Sequence, residues 1–192
     1  MRRIAFWSPK GGVGKTTLAL NFAGAAYYAG YKVLVCDLDP QQSSIDVFNE
    51  KKLPFSVVPD KPQVMPNVDF LIYDHAPDIN TIPSVETIIM PMRASVLDLK
   101  AINRCYRLVR DKTVIKCINA VDTRRHDERI LAMKLFSEGA HLVKDRSIYV
   151  RSLSHGETVF QMNVYGARDA QNELNRLLSR VLSIGKEKVV NY

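Results

Sequence analysis

The sequence has few of the features that mark membrane-spanning, disulfide-rich or metal-cluster proteins. No apolar run approaches the roughly 20 residues that cross a bilayer. The apolar run at the start of the sequence is too short for a signal peptide. The three cysteines, Cys36, Cys105 and Cys117, lie far apart, and an odd number does not favour a disulfide framework. No cysteine pair has metal-ligand spacing, and the four histidines do not cluster. We therefore expect a cytoplasmic protein.

The sequence does have an apolar core composition and an uneven positive charge. Its 192 residues are 46% hydrophobic, which is enough for one domain, and we expect residues 1–192 to form a single domain. Residues 1–99 carry 9 lysines and arginines against 10 acidic residues, whereas residues 100–192 carry 18 against 10. This asymmetry indicates either a polyanionic partner, nucleic acid or anionic lipid, or an ordinary basic surface.

Short apolar runs alternate with longer amphipathic segments, a pattern typical of an α/β fold with a mostly parallel sheet. The predicted strands are Ile4–Ser8, Lys32–Asp37, Asp69–Asp74, Thr87–Pro91, Val114–Asn119 and Ser147–Val150. The predicted helices are Lys15–Ala29, Leu97–Asp111, Glu128–Glu138 and Ala167–Ser183. Gly30 is placed to end the first helix. Four prolines in the segment Leu53–Pro66 indicate a surface connection, with room for a short edge strand.

A glycine-rich loop, Ser-Pro-Lys-Gly-Gly-Val-Gly-Lys-Thr-Thr at residues 8–17, lies between the first predicted strand and the first predicted helix. Glycines let the backbone wrap around phosphate oxygens, and the helix N-terminus adds a partial positive charge. In such a loop Lys15 reaches the β- and γ-phosphates, and the Thr16 hydroxyl coordinates Mg²⁺. Pro9 stands where the ordinary G-x-x-x-x-G-K-S/T pattern has its first glycine. The predicted nucleotide-binding residues of the loop are Gly11, Gly12, Val13, Gly14, Lys15, Thr16 and Thr17.

The string Lys-Gly-Gly-Val-Gly-Lys-Thr-Thr resembles the deviant Walker A motif of the ParA/MinD superfamily of ATPases. The resemblance covers nearly the whole chain, although it is loose after Asp122. It implies a three-layer P-loop NTPase fold, ATP and Mg²⁺ as cofactors, and an ATP-dependent homodimer in which Lys10 reaches the partner's phosphates. A lysine supplied by the partner would neutralise charge that develops during phosphoryl transfer. The alternative is that Lys10 is a solvated loop lysine.

Two predicted strands end in aspartate, in Cys-Asp-Leu-Asp-Pro-Gln and in Ile-Tyr-Asp-His-Ala-Pro. Carboxylates at this end of parallel strands lie where ligands bind, although a single aspartate there can be a turn former. The resemblance implies that Asp39 positions the attacking water, while Asp37 supports the hydrated Mg²⁺. It implies that Asp74 holds Mg²⁺ through water, as a Walker B aspartate. His75 stands where relatives usually have threonine or serine, and we assign it no role.

A further polar residue, Asn119, ends the predicted strand Val114–Asn119, and the segment Cys117–Val121 resembles the family's strand ending in asparagine. The amide of Asn119 can both donate to and accept from adenine. An asparagine at the end of a strand also serves as a local turn former. The sequence leaves both interpretations of Asn119 open.

The family uses one switch for several tasks, so the fold does not decide the function. The short chain and its basic second half favour a ParA-type partition ATPase, which binds nucleoid DNA non-specifically as an ATP dimer. A centromere-bound ParB-like partner then stimulates hydrolysis and releases it. Arginines face away from the leucine stripe of the last predicted helix, and each alone is compatible with a solvated surface. The predicted DNA-binding residues are Arg151, Arg168, Arg176 and Arg180, from a wider basic set with Arg124, Arg125, Arg129, Lys144 and Arg146.

Other tracks and activities are alternatives on the same scaffold. A MinD-like membrane role would use Leu177–Lys188, which lacks tryptophan and phenylalanine and whose apolar stripe is needed for packing, so we consider membrane binding unlikely. A cargo-positioning or conjugation-associated switch would use protein or DNA as its track. A scaffold with negligible hydrolysis is opposed by the presence of Lys10 and Asp39. A small-molecule enzyme is opposed by the lack of a cysteine pair placed to bridge a cluster.

Overall fold

The computed structural model describes residues 1–184, whose strands form one seven-stranded sheet. The strands are β1 (Arg2–Phe6), β2 (Val33–Leu38), β3 (Ser56–Val58), β4 (Phe70–His75), β5 (Thr87–Met92), β6 (Thr113–Val121) and β7 (His141–Lys144). They lie in the order β3-β2-β4-β1-β5-β6-β7, and every neighbouring pair is parallel. The prediction of an α/β fold with a mostly parallel sheet is confirmed.

Helices cover both faces of this sheet and complete the three predicted layers. They are α1 (Lys15–Tyr28), α2 (Ser43–Asn49), α3 (Val96–Tyr106), α4 (His126–Ser137), α5 (Ser147–Ser154) and α6 (Ala167–Ser183). A 3₁₀ turn, Arg107–Val109, continues α3. Helices α1, α5 and α6 contact one another on one face, and α3 and α4 pack on the other.

The central strands are apolar along their length because both of their faces are covered. In β1, Ile4 and Phe6 join the core beneath α1, α5 and α6, whereas Ala5 joins a cluster on the opposite face. This alternation follows from the pleat of a strand, in which successive side chains point to opposite faces. The leucine stripe of α6, which includes Leu174 and Leu177, is buried as predicted.

Three segments differ from the sequence prediction. The segment Ser147–Val150 was predicted as a strand but is the first turn of α5, because burying Ile148 and Tyr149 under α1 and α6 outweighs their β propensity. The last strand is instead β7, which has only four residues and too short a pattern to be recognised. Helix α2 was not predicted. The short edge strand expected within Leu53–Pro66 is present as β3.

The end of α6 is tied to the start of the sheet. The Arg2 guanidinium donates hydrogen bonds of 3.1–3.2 Å to the carbonyls of Val181, Leu182 and Ile184. Of the stretch Leu177–Lys188 that was considered for lipid contact, Leu177 and Val181 are buried, and residues 185–188 lie outside the described residues. Within residues 1–184, every helix is too short or too polar to span a bilayer.

Candidate functional site

Three neighbouring strand ends bring the glycine loop and the two acidic segments together. Strand β4 lies between β1 and β2, and its Asp74 is in register with Phe6 on one side and with Asp37 on the other. The loop that follows β1 therefore faces both aspartates. In open parallel sheets, ligands bind at this carboxyl edge.

The glycine loop ends in a helix whose N-terminus is free to bind an anion. Gly12 and Gly14 have φ of 70° and 87°, a left-handed backbone that glycine adopts without steric penalty. Helix α1 begins at Lys15, no side chain caps it, and its first turn contains no acidic residue. The uncapped N–H groups and the helix dipole thus favour a negatively charged group at this point.

Asn119 supports the loop from β6. Its Nδ2 atom donates a 2.9 Å hydrogen bond to the Val13 carbonyl, and the side chain is buried. A Cβ atom on Gly14 would overlap this Nδ2 atom, so a side chain at that position would force the Asn119 amide to move away from the Val13 carbonyl. Strand β6 continues to Val121, so the prediction that the strand ends at Asn119 is wrong. Contact of Asn119 with adenine stays a prediction.

Lys15 is buried where the loop meets α1, and its ammonium group has almost no bonding partner. Its Nζ atom makes a 3.4 Å contact with the Lys10 carbonyl and lies beyond 4 Å of any carboxylate in residues 1–184. Burial lowers the pKa of Lys15, and the charges of Asp74 and Asp39 oppose this shift. The ammonium thus lies within electrostatic reach of both aspartates while its donors remain available for phosphate oxygens.

Asp74 is a buried carboxylate with one oxygen left over. Its Oδ2 atom accepts a 2.8 Å hydrogen bond from the Ser44 hydroxyl, whereas Oδ1 has no hydrogen-bond partner in the described residues. Burial raises the pKa of Asp74 to about 6, against the opposing effect of the Thr16 and Ser44 hydroxyls. A free carboxylate oxygen beside a threonine hydroxyl offers the hard oxygen ligands that Mg²⁺ prefers. These residues therefore fit the predicted metal.

Asp37 anchors the segment that follows β2. Its Oδ2 atom accepts hydrogen bonds from the N–H groups of Ser44 (2.8 Å) and Ile45 (3.1 Å), and Oδ1 accepts one from the Asp39 N–H (3.1 Å). Burial raises the pKa of Asp37, and these three N–H groups oppose the shift. Asp37 thus fixes the start of α2, which carries the hydroxyl bonded to Asp74. Its support of hydrated Mg²⁺, and the water-positioning role of half-buried Asp39, stay predictions.

Lys10 forms an ion pair with Asp98, a residue that the sequence reasoning missed. The buried Asp98 carboxylate also accepts hydrogen bonds from the Arg93 N–H (2.9 Å) and the Ser95 hydroxyl (3.0 Å). Burial raises its pKa, but these bonds and Lys10 hold the pKa of Asp98 below its ordinary value. Ser95 and Asp98 have capping-box spacing, which signals the start of α3 but does not predict a lysine partner.

His75 is a buried packing residue in this arrangement. Its ring lies edge-on to Tyr73, with 6.4 Å between the ring centroids. Burial, aided by the charge of Lys61, lowers the pKa of His75 to about 4. The ring is therefore neutral at pH 7, and the structure gives no reason to assign it a chemical role.

The four predicted DNA-binding arginines lie on α5 and α6. Arg151, Arg168 and Arg176 are exposed and Arg180 is half-buried, and within residues 1–184 none is within 4 Å of a carboxylate. Part of the wider basic set is neutralised by contrast. The ion pairs are Arg124–Asp122, Arg125–Asp122, Arg125–Glu128, Arg146–Asp169 and Arg146–Glu173. These paired arginines are poorer candidates for binding phosphate.

Comparison with known proteins identifies the family. The model of the CobQ/CobB/MinD/ParA nucleotide binding domain matches residues 4–159. The chain belongs to this family. The resemblance to the ParA/MinD superfamily is thereby confirmed, and its members are ATPases that share a nucleotide-binding domain.

Individual relatives agree with this assignment. The chromosome-partitioning ATPase Soj of Thermus thermophilus is 56% identical over 41 residues, which are 21% of this chain and 16% of Soj. The match thus spans about a sixth of that relative's length. A putative plasmid partition protein of Borrelia burgdorferi bound to AMPPNP has a TM-score of 0.75 at 18% identity, covering 93% of this chain and 99% of its own. A chain of the Aquifex aeolicus MinC:MinD complex has a TM-score of 0.69 at 16% identity, covering 94% and 96%. At such identities the likeness shows the fold.

Proposed function

We propose that this chain is a single-domain ParA-type ATPase that dimerises on ATP and binds DNA non-specifically in that state. A ParB-like activator would then stimulate hydrolysis and release the protein from the nucleoid, driving DNA partition. One observation carries the ATPase assignment: the uncapped start of α1, the available Lys15 ammonium and the free Asp74 oxygen converge at one sheet edge. Similarity to Soj and to the Borrelia partition protein supports the partition role.

The residues of the site divide the work of phosphoryl transfer. The N–H groups of the loop and the Lys15 ammonium hold the β- and γ-phosphates, while Thr16 and Asp74, supported by Asp37, are the residues that would hold Mg²⁺. When bound, Mg²⁺ would neutralise part of the negative charge of the phosphates.

Hydrolysis needs a positioned water and a cation opposite the developing charge. Asp39 lies within electrostatic reach of Lys15, and its carboxylate can accept a hydrogen bond from the attacking water. The water oxygen bonds to the γ-phosphorus as the bond from this phosphorus to the β–γ bridging oxygen breaks, giving ADP and hydrogen phosphate and releasing one proton of the water. Lys10 of the second subunit would stabilise the negative charge that develops on the phosphate oxygens, so that turnover requires the dimer.

DNA binding is assigned to the polar side of α6 and the neighbouring part of α5. The leucine side of α6 is buried, which leaves Arg168 and Arg176 in solvent. Because no carboxylate in residues 1–184 neutralises these arginines, they can replace the counterions of a phosphate backbone. Such binding is independent of sequence and weakens steeply with salt.

Binding to random-sequence duplex DNA, measured with ADP and with non-hydrolysable ATP across a salt series, tests this proposal. We expect tight, salt-sensitive binding only with the ATP analogue. The variant Arg176→Glu with Arg180→Glu should bind at least ten-fold more weakly. The slope of its log affinity against log salt concentration should be shallower, by the amount that about two lost phosphate contacts cause.

The variant Arg124→Glu with Arg125→Glu is the matched control, because it changes the net charge equally at arginines already paired with carboxylates. It should lose less affinity, and thermal unfolding of both variants checks their folding. Wild-type protein that binds DNA in neither nucleotide state would rule out the DNA track.

A further inference from the structure

Helix α4 has two apolar sides, and only one of them packs within residues 1–184. Ala132 and Leu135 are buried in the core beneath the helix. On the other side Ile130, Met133 and Phe136 are 55%, 56% and 53% exposed. Their spacing of three residues places them along one side of the helix. Clusters of large exposed apolar side chains mark interaction sites.

A trough of about 550 Å³ opens beside this side of α4 and follows the sheet edge formed by β7. Met133 and Phe136 form one wall, His141 and Leu142 form the floor, and α6 contributes Arg176 to the other wall. His141 and Leu142 are successive residues that point to opposite faces of the sheet. The trough, which we call the α4–β7 trough, therefore runs along the edge between the two helix layers.

The rim of the α4–β7 trough is positively charged. Arg129, Lys144 and Arg176 line it, and none of them forms an ion pair in the part of the chain that the structure describes. The lining also contains Glu173, but this carboxylate is already bonded to Arg146 at 2.9 Å. An apolar trough with an uncompensated cationic rim is complementary to apolar side chains flanked by carboxylates.

We propose that the α4–β7 trough binds an acidic protein segment whose large apolar side chains cover Met133 and Phe136. A second copy of this chain fits poorly, because a symmetric contact would place the same cationic rims against each other. The phosphates of duplex DNA could pair with the cations of the rim, but DNA would leave the apolar wall of Met133 and Phe136 without a partner. The proposal does not depend on the DNA track.

Side chains rather than strand addition would provide the recognition. The Lys144 N–H group at the open edge of β7 is directed to the Glu173 carboxylate at 3.4 Å, so this part of the edge is already occupied. The contact energy would then come from burying the exposed side of α4, and the rim cations would select against basic segments.

Methyl NMR of the full chain, titrated with a synthetic 12-residue peptide of alternating leucine and glutamate, tests the proposal. We expect shifts of the Ile130, Met133 and Leu142 methyl signals. The signals of Val64 and Met65, which are exposed elsewhere on the surface, should stay unchanged. Comparison peptides with lysine in place of glutamate, or serine in place of leucine, should bind at least ten-fold more weakly.

Matched variants distinguish binding in the trough from non-specific binding to exposed apolar side chains. Met133→Ser with Phe136→Ser should weaken peptide binding at least ten-fold, whereas Val64→Ser with Met65→Ser should not. Both pairs are exposed, and thermal unfolding checks that both variants fold. Absence of trough shifts at millimolar peptide, or equal binding of the lysine peptide, would overturn the proposal. Because Arg176 belongs both to the trough lining and to the proposed DNA-binding set, DNA is tested with the variant. Loss of DNA affinity in Met133→Ser with Phe136→Ser would assign the trough to DNA, and the same methyl shifts on raising the protein concentration would assign it to a second copy.

The DNA-binding assay makes the two proposals separable. Met133→Ser with Phe136→Ser changes no charge, so it should lose the peptide and keep the salt-dependent DNA binding. If wild-type protein fails to bind DNA, the peptide titration still decides the trough.

Discussion

At the scale of single residues, Asp74 sets the charge balance of the site. Asp74 is 1% exposed, and this burial raises its pKa to about 6 from an ordinary 3.8, although the Thr16 and Ser44 hydroxyls oppose the shift. A group whose pKa is raised by folding stabilises the fold in its protonated form. That stability is present below about pH 4 and is lost as the pH rises through about 6.

The variant Asp74→Asn should therefore be more stable than wild type at pH 7.5 without Mg²⁺, by up to about 3 kcal/mol. Its thermal unfolding should lose the pH dependence between about pH 4 and 6.5 that this carboxyl causes. Its Mg²⁺-dependent ATP affinity should fall at least ten-fold, because the free carboxylate oxygen is gone. The control is Asp46→Asn, an exposed acid of α2. A stability profile of Asp74→Asn parallel to wild type would contradict the assignment.

How far the sequence predicted individual residues depends on whether their partners are close along the chain. The position of Lys15 and Thr16 at the start of the first helix could be predicted, because a strand, a glycine-rich loop and a helix follow one another directly in the sequence. The roles of Ser44 and Asp98 could not, because their bonds to Asp74 and Lys10 join residues 30 and 88 positions apart. The sequence contains no local signal for such contacts.

At the scale of elements, the phosphate loop and β6 are fitted to each other. Gly14 combines a left-handed backbone with the close approach of Asn119, and Asn119 in turn holds the Val13 carbonyl. A side chain at position 14 would therefore be disfavoured twice, by the left-handed backbone and by its overlap with Asn119. The loop is thus held in its binding shape by a strand two positions away in the sheet, beyond β5.

Gly14→Ala should destabilise the protein more than Gly139→Ala, as measured by thermal or denaturant unfolding. Gly139 has a similar φ of 91° but open space around it, so its variant loses only the backbone preference, about 1–2 kcal/mol. In the double variant Gly14→Ala with Asn119→Ala, part of the extra loss should be recovered because the overlap is removed. Equal losses for the two glycine variants would show that Asn119 does not constrain the loop.

The elements that the sequence predicted correctly are those with long, regular patterns. The helix predicted at Ala167–Ser183 matches α6 because its leucines repeat over several turns. The segment at 147–150 was misassigned because four residues rich in β formers carry no helical period, and the burial of Tyr149 beneath α6 becomes evident only in the folded chain. Short segments take their structure from what they pack against.

At the scale of the whole molecule, the Lys10–Asp98 pair bears on assembly. Lys10 is 46% exposed along its side chain and is held by an aspartate of its own subunit. If Lys10 must contact the phosphates of a second subunit, Asp98 competes with that contact. The ion pair would then favour the monomer until ATP supplies a stronger anion.

Asp98→Asn should therefore raise the affinity of the ATP-state dimer by about two- to five-fold, the range of a partly exposed ion pair. The asparagine oxygen can accept from the Arg93 N–H group, and its NH₂ group can donate to the Ser95 hydroxyl oxygen, so α3 should stay intact. Sedimentation velocity with non-hydrolysable ATP measures the change, and the control is Asp127→Asn, which alters an exposed acid of α4. A weaker dimer would mean that Asp98 instead positions Lys10 for its partner.

The central place of β1 has a consequence for how the protein is made. This strand is synthesised before both of its neighbours in the sheet, β4 and β5, with whose residues Ile72 and Thr87 its Ile4 pairs. Until β5 leaves the ribosome, one apolar edge of β1 stays open, and long-range pairings of this kind form slowly. The phosphate loop directly follows β1 but gains its Asn119 support only after β6 is made. A nascent chain would thus acquire nucleotide binding late, and truncated products would be clients for chaperones rather than weakened ATPases.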